Sequence, residues 1–138
     1  MDFFGKLRGE KTLLINDDEW IRDSMSRIFE IEDCPLWIVE TAEEALERIK
    51  HQAYDIIISD NRLSGIQGTE FFRRIQDTYP NACKILMIAY TNKEILSETI
   101  RIGINNLIEK PFNIHSLERA ISLFLSMDNR PSPNHIPG

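Results

Sequence analysis

Five short runs of apolar residues punctuate the chain, at residues 12–16, 36–40, 55–59, 84–88 and 106–109. Each is too short for a helix. In several of them aliphatic side chains follow one another without polar alternation, which predicts parallel strands buried on both faces. Between the runs, apolar positions recur at helical spacing. They are Ile21, Met25 and Ile28; Ala42, Ala45, Leu46 and Ile49; Phe72, Ile75 and Tyr79; and Ile95, Leu96, Thr99 and Ile100. A last helix carries Ile114, Leu117, Ile121, Phe124 and Leu125. Boundary signals agree: Thr41 with Glu44 makes a capping-box pair, Gly103 is placed to end the fourth of these helices, and Tyr79-Pro80-Asn81 breaks the third.

Five strands separated by single helices predict an open parallel sheet covered on both faces, because each right-handed crossover returns the chain in the same direction. All five strands then finish at one edge. Ligands in such sheets bind beyond the carboxyl ends, where strand order reverses. With order 2-1-3-4-5, that point lies between the first and third strands.

The strand ends carry the chemistry. The stretch "LLINDDEW" drives an aliphatic strand into Asp17, Asp18 and Glu19. Acids there suit the first turn of a helix, which they cap; they equally suit a metal site. Asp60 ends the third strand, Ile88 the fourth, and Glu109 and Lys110 the fifth. Three carboxylates gathered in one crevice would repel, by roughly 4 kcal/mol per pair ~4 Å apart at an effective dielectric of 20, so a cation is expected between them. Oxygen-only ligands with room for water suit Mg²⁺, and Lys110 supplies a second positive charge able to hold an anion.

Composition narrows the picture further. A chain of 138 residues is most simply one domain, and a net charge of −6 argues against a surface built to hold nucleic acid. The basic pair Arg73-Arg74 sits among acids and reads as a solvated helix face. No apolar run approaches the ~20 residues needed to span a bilayer, which sets the expectation of a cytoplasmic protein with no membrane partner. Cys34 and Cys83 form no CxxC pair and read as free thiols, Cys83 beside the core; His51, His115 and His135 show no ligand spacing and read as surface residues. Residues 1–10 read as a short leader, 11–127 as the domain and the Pro-rich 128–138 as a tail or linker.

Over residues 11–127 the sequence resembles bacterial response-regulator receiver domains. "INDDE" is similar to that family's acidic pair after the first strand, "IIISDNRLSGIQG" to its phospho-acceptor strand and loop, and "EKPF" to the Lys-Pro after the fifth strand. The resemblance implies a flavodoxin-like (βα)5 sandwich and a role in phosphorelay signalling rather than a turnover enzyme. It implies Asp60 as phospho-acceptor from a histidine kinase or a phosphotransfer protein, and Mg²⁺ on Asp17, Asp18, Asp60 and the backbone carbonyl of Arg62. Lys110 would pair with the phosphoryl oxygens. Ser64 stands where the family often has proline, which would loosen the loop. The family's contact surface, formed by the fourth of the alternating helices, the fifth strand and the last helix, would dock a downstream protein or a second copy.

Two positions depart from the family. The Thr or Ser that ends the fourth strand falls on Ile88, and the aromatic three residues before the lysine falls on Leu107. Both halves of the usual switch are therefore aliphatic, and the expected reading is that the two pack together and switching is non-standard, or that Thr91 supplies the hydroxyl after a loop shift. A phosphorylation-independent pseudo-receiver stays open. An aspartyl hydrolase would want a second Asp where Arg62 stands, and a flavin-binding protein would want a phosphate-cradling loop where "NDDEW" stands.

Overall fold

The computed structural model describes residues 2–126. Met1, the residues from 127 onward and therefore the expected tail and His135 lie outside the described residues. Six helices and five strands follow one another as α1 (Phe3–Leu7), β1 (Thr12–Ile15), α2 (Glu19–Ile31), β2 (Leu36–Val39), α3 (Ala42–Arg48), β3 (Ile56–Asp60), α4 (Gly68–Ile75), β4 (Cys83–Ile88), α5 (Lys93–Arg101), β5 (Asn106–Glu109) and α6 (Ile114–Leu125). The strands form one parallel sheet in the order β2-β1-β3-β4-β5. Observed strand limits differ from the sequence reading by no more than one residue at either end. The largest consequence is that β3 includes Asp60 itself.

Strict alternation along each strand sorts the core into two layers. Leu14, Ile56, Ile58, Ile85, Met87 and Ile108 face α2 and α6, where Met25, Phe29, Leu117 and Ile121 complete one apolar cluster. Leu13, Ile15, Ile57, Leu86 and Ile88 face the other way, toward Ala42, Ala45, Phe71, Phe72 and Ile75. The central strands β1, β3 and β4 are buried at every position. Removal of apolar surface from water at about 25 cal/mol per Å² is the main driving force for this arrangement.

Residues 1–10, expected to be a plain leader, instead carry α1. Asp2 caps it by accepting the Gly5 N–H at 2.6 Å, and Leu7 is fully buried in the α2/α6 layer. The periodicity missed it because five residues hold too few turns to show a period. At Thr41 the hydroxyl accepts the Glu44 N–H at 3.1 Å as expected, but it also meets the Glu44 carboxylate at 3.3 Å, so the cap is one-sided. The full reciprocal box occurs at Asn113 and Ser116, at the start of α6.

Gly103, with φ +78°, ends α5 as its position required: its N–H meets the Ile100 carbonyl at 3.3 Å while the Ile104 N–H meets the Thr99 carbonyl at 2.9 Å. The same pair of bonds closes α2, with Asp33 at φ +58° in the place of glycine. Both cysteines are buried and neither is in a disulfide, and His51 and His115 are exposed. Among the described residues no helix is long and apolar enough to cross a membrane.

Candidate phospho-acceptor site

β1 and β3 are in register from Thr12↔Ile56 to Ile15↔Ser59, so Asn16 and Asp60 stand side by side at the carboxyl edge, with Asp17 and Asp18 just beyond. Asp60 is 3% exposed. Its position is held from behind: the Asn61 N–H bonds the Met87 carbonyl at 2.9 Å, and the Gly68 N–H bonds the Asn61 carbonyl at 3.0 Å. A buried carboxylate needs a compensating charge. Lys110 supplies it, with Nζ 2.7 Å from Asp60 Oδ1, and the Arg62 N–H donates to the same oxygen at 3.2 Å. Lys110 is delivered there by β5, and its own N–H bonds the Ile88 carbonyl at 2.8 Å.

Asp18 answers both readings of "LLINDDEW". It is the N-cap of α2, its Oδ1 accepting the N–H groups of Trp20 at 2.9 Å and Ile21 at 3.4 Å. Its own N–H donates to Asn16 Oδ1 at 2.9 Å, a side-chain turn that aims the acidic pair. Asn16, fully buried, is the positioning residue the sequence reading passed over; a polar residue closing an aliphatic run was the available signal. Asp17 Oδ2 accepts the Ser64 hydroxyl at 3.3 Å. Ser64 thus ties the β3–α4 loop to the acidic pair where a loosened loop was expected. The same loop is held by Glu43, whose carboxylate accepts the Ile66 N–H at 3.3 Å. Nothing in the local sequence signals that contact.

Asp17, Asp18 and Asp60 stand at one edge of the sheet, but among the described residues no three acidic, His or Cys side chains form a tight cluster. The reason is local: one oxygen of Asp18 is drawn to α2, one of Asp17 to Ser64 and one of Asp60 to Lys110. Each carboxylate keeps a second oxygen without a hydrogen bond among the described residues. These are hard oxygen donors, and that donor chemistry fits Mg²⁺.

Ile88 is 2% exposed and belongs with Leu86, Ile102 and the half-buried Leu107 to the apolar layer under α4 and α5. The register Leu86↔Leu107 and Ile88↔Glu109 puts Ile88 and Leu107 on the same face of the sheet. The Thr91 hydroxyl is turned to the Glu109 carboxylate at 3.0 Å. In front of Asp60 lies a crevice of about 340 Å³ bordered by Arg62, Ile88, Tyr90, Ile95 and Lys110.

Residues 12–122 match the response regulator receiver domain family. The chain belongs to that family. This receiver is 24% identical over 121 residues to sporulation initiation phosphotransferase F of Bacillus subtilis, covering 88% of this chain and 98% of that one. It is 30% identical over 107 residues to the response regulator protein FleR of Pseudomonas aeruginosa, covering 78% of this chain but only 23% of FleR. Among solved structures, a CheY-like receiver domain protein from Methanospirillum hungatei superposes with a TM-score of 0.78 at 28% identity, over 84% of this chain and 93% of that one. The chemotaxis response regulator CheY4 of Vibrio cholerae gives 0.76 at 23% identity, over 83% and 98%, which speaks to the fold alone. The receiver is a two-component signalling module with the flavodoxin-like, CheY-like fold.

Proposed function

We propose that this receiver accepts a phosphoryl group on Asp60 from the phosphohistidine of a sensor histidine kinase or a phosphotransfer protein. The observation that carries this reading is the pairing of the nearly buried Asp60 carboxylate with Lys110 at 2.7 Å, at the mouth of an open crevice. A carboxylate oxygen forms the bond to phosphorus as the P–N bond breaks, and the electron pair leaves with the imidazole. Such a transfer needs placement and charge neutralisation more than acid or base help. Lys110 is set to meet the phosphoryl oxygens. Asp17, Asp18, Asp60 and the Arg62 carbonyl would hold Mg²⁺, which when bound supplies the positive charge that lets phosphate approach three acids.

Signal output rests on docking. With Ile88 and Leu107 both in the apolar layer, no hydroxyl at the end of β4 meets the phosphoryl group, and the Thr91 hydroxyl is already engaged by Glu109. A hydrogen bond to a charged group contributes roughly 1.5–3 kcal/mol, so its loss weakens hydroxyl-driven coupling by more than about ten-fold. Switching is therefore non-standard. The face of α5, β5 and α6 exposes Leu96 at 45% and Ile100 at 79%, an apolar patch for a downstream protein or a second copy.

Intact-mass analysis after exposure to a small phosphodonor with Mg²⁺ tests the reading. Wild type gains one phosphoryl group and Asp60→Asn gains none. A wild-type chain that gains no mass would favour the phosphorylation-independent pseudo-receiver.

A further inference from the structure

A second basic residue besides Lys110 lines the crevice in front of Asp60. Arg62 sits on its rim, two residues past Asp60, and its backbone N–H already holds the Asp60 carboxylate. Its side chain is exposed, and its guanidinium makes no hydrogen bond or ion pair among the described residues. By contrast, Arg22, Arg73 and Arg74 are each engaged by a carboxylate. At the end of β4 the crevice wall presents the side chain of Ile88, which carries no donor.

Resting on the phosphoryl-acceptor reading above, we infer that the Arg62 guanidinium is a phosphoryl-binding group of this receiver, taking from the solvent side the hydrogen-bonding role that Ile88 cannot fill from the core side. Arginine suits this place. Its planar fork donates two parallel N–H bonds to a phosphoryl group, is always charged and is weakly hydrated, so it gains more from a half-wet phosphate contact than a point charge does. Lys110 and Arg62 then hold the group from two directions, while the Ile88 side chain and its neighbour Ile95 form an apolar wall. The consequence is a phosphoryl group retained by a rim residue on the β3–α4 loop, so the bound state is reported by that loop rather than by β4.

Fluoroberyllate binding in Mg²⁺ buffer, followed by Trp20 fluorescence or calorimetry, tests the inference with four chains side by side. Arg62→Ala is expected to bind fluoroberyllate about five- to ten-fold more weakly than wild type, and Arg62→Lys to recover part of the loss. Asp60→Asn should bind no fluoroberyllate. An Arg62→Ala chain that binds as wild type does, while Asp60→Asn fails, overturns the role of Arg62 and leaves the acceptor reading standing. A wild-type chain that binds no fluoroberyllate overturns both.

Discussion

Lys110 Nζ stands 2.7 Å from Asp60 Oδ1, so a carboxylate that is 3% exposed and a lysine delivered from the far end of the sheet neutralise one another. Removing one partner strands the other. Lys110→Ala is expected to lower stability by about 1–3 kcal/mol, because the buried charge loses its compensation. Adding Asp60→Asn to it should restore most of the loss. Urea unfolding of the two single variants and the double variant measures the coupling; simple additivity would contradict the pairing.

Gly68 opens α4 directly behind the acceptor. A Cβ there would collide with the Asp60 carbonyl oxygen, part of the fixed backbone of the sheet, and lie 2.9 Å from the Leu86 Cδ1 methyl. Gly68→Ala should cost about 2–3 kcal/mol and displace Asp60, seen as a lower urea midpoint together with slower phosphoryl uptake.

Installing the absent hydroxyl is a direct probe of switching. Ile88 is buried among aliphatic side chains, so Ile88→Thr should destabilise the free receiver by about 1–3 kcal/mol. If the new hydroxyl reaches the phosphoryl analogue, fluoroberyllate should raise the melting temperature of Ile88→Thr more than that of wild type. Equal shifts would show that the β4 end is closed to the anion.

Asp33 holds the left-handed position that ends α2, at φ +58°. Such a conformation costs a non-glycine residue roughly 1 kcal/mol. Asp33→Gly, which keeps both closing bonds at the helix end, should stabilise the protein by about 0.5–1 kcal/mol in thermal unfolding and leave phosphorylation untouched.

Lys84 lies inside the layer under α4 and α5 with 2% of its surface exposed. Burial holds its ammonium below the ordinary value of 10.5, and the Asp77 carboxylate offsets this only in part. Between its folded pKa and 10.5 the unfolded chain binds more protons than the folded one, so stability rises with pH through that window; below it the full cost of the buried charge is felt. Lys84→Met is expected to gain about 1 kcal/mol at pH 7 and to flatten the alkaline rise, both read from urea midpoints across pH.

The hydrophobic pattern by itself determined the alternation of strands and helices, the parallel sheet and the one edge to which the strand ends bring Asp18, Asp60 and Lys110. Continuous aliphatic runs admit little besides two-sided burial, and right-handed crossovers place all carboxyl ends together. Glycine at 103 and the acid at 18 were legible for the same reason: local backbone geometry demands those residue types. Tertiary structure alone decided the contacts made at a distance. Ser64 reaches Asp17, Glu43 holds the loop at Ile66, Thr91 turns to Glu109, and α1 folds onto the core. None of these follows a period, because each joins side chains from different elements whose meeting depends on how the layers pack. The spread of the three carboxylates belongs with them: a helix start, a loop hydroxyl and a lysine each claimed one oxygen, and only the folded chain brings those claimants within reach.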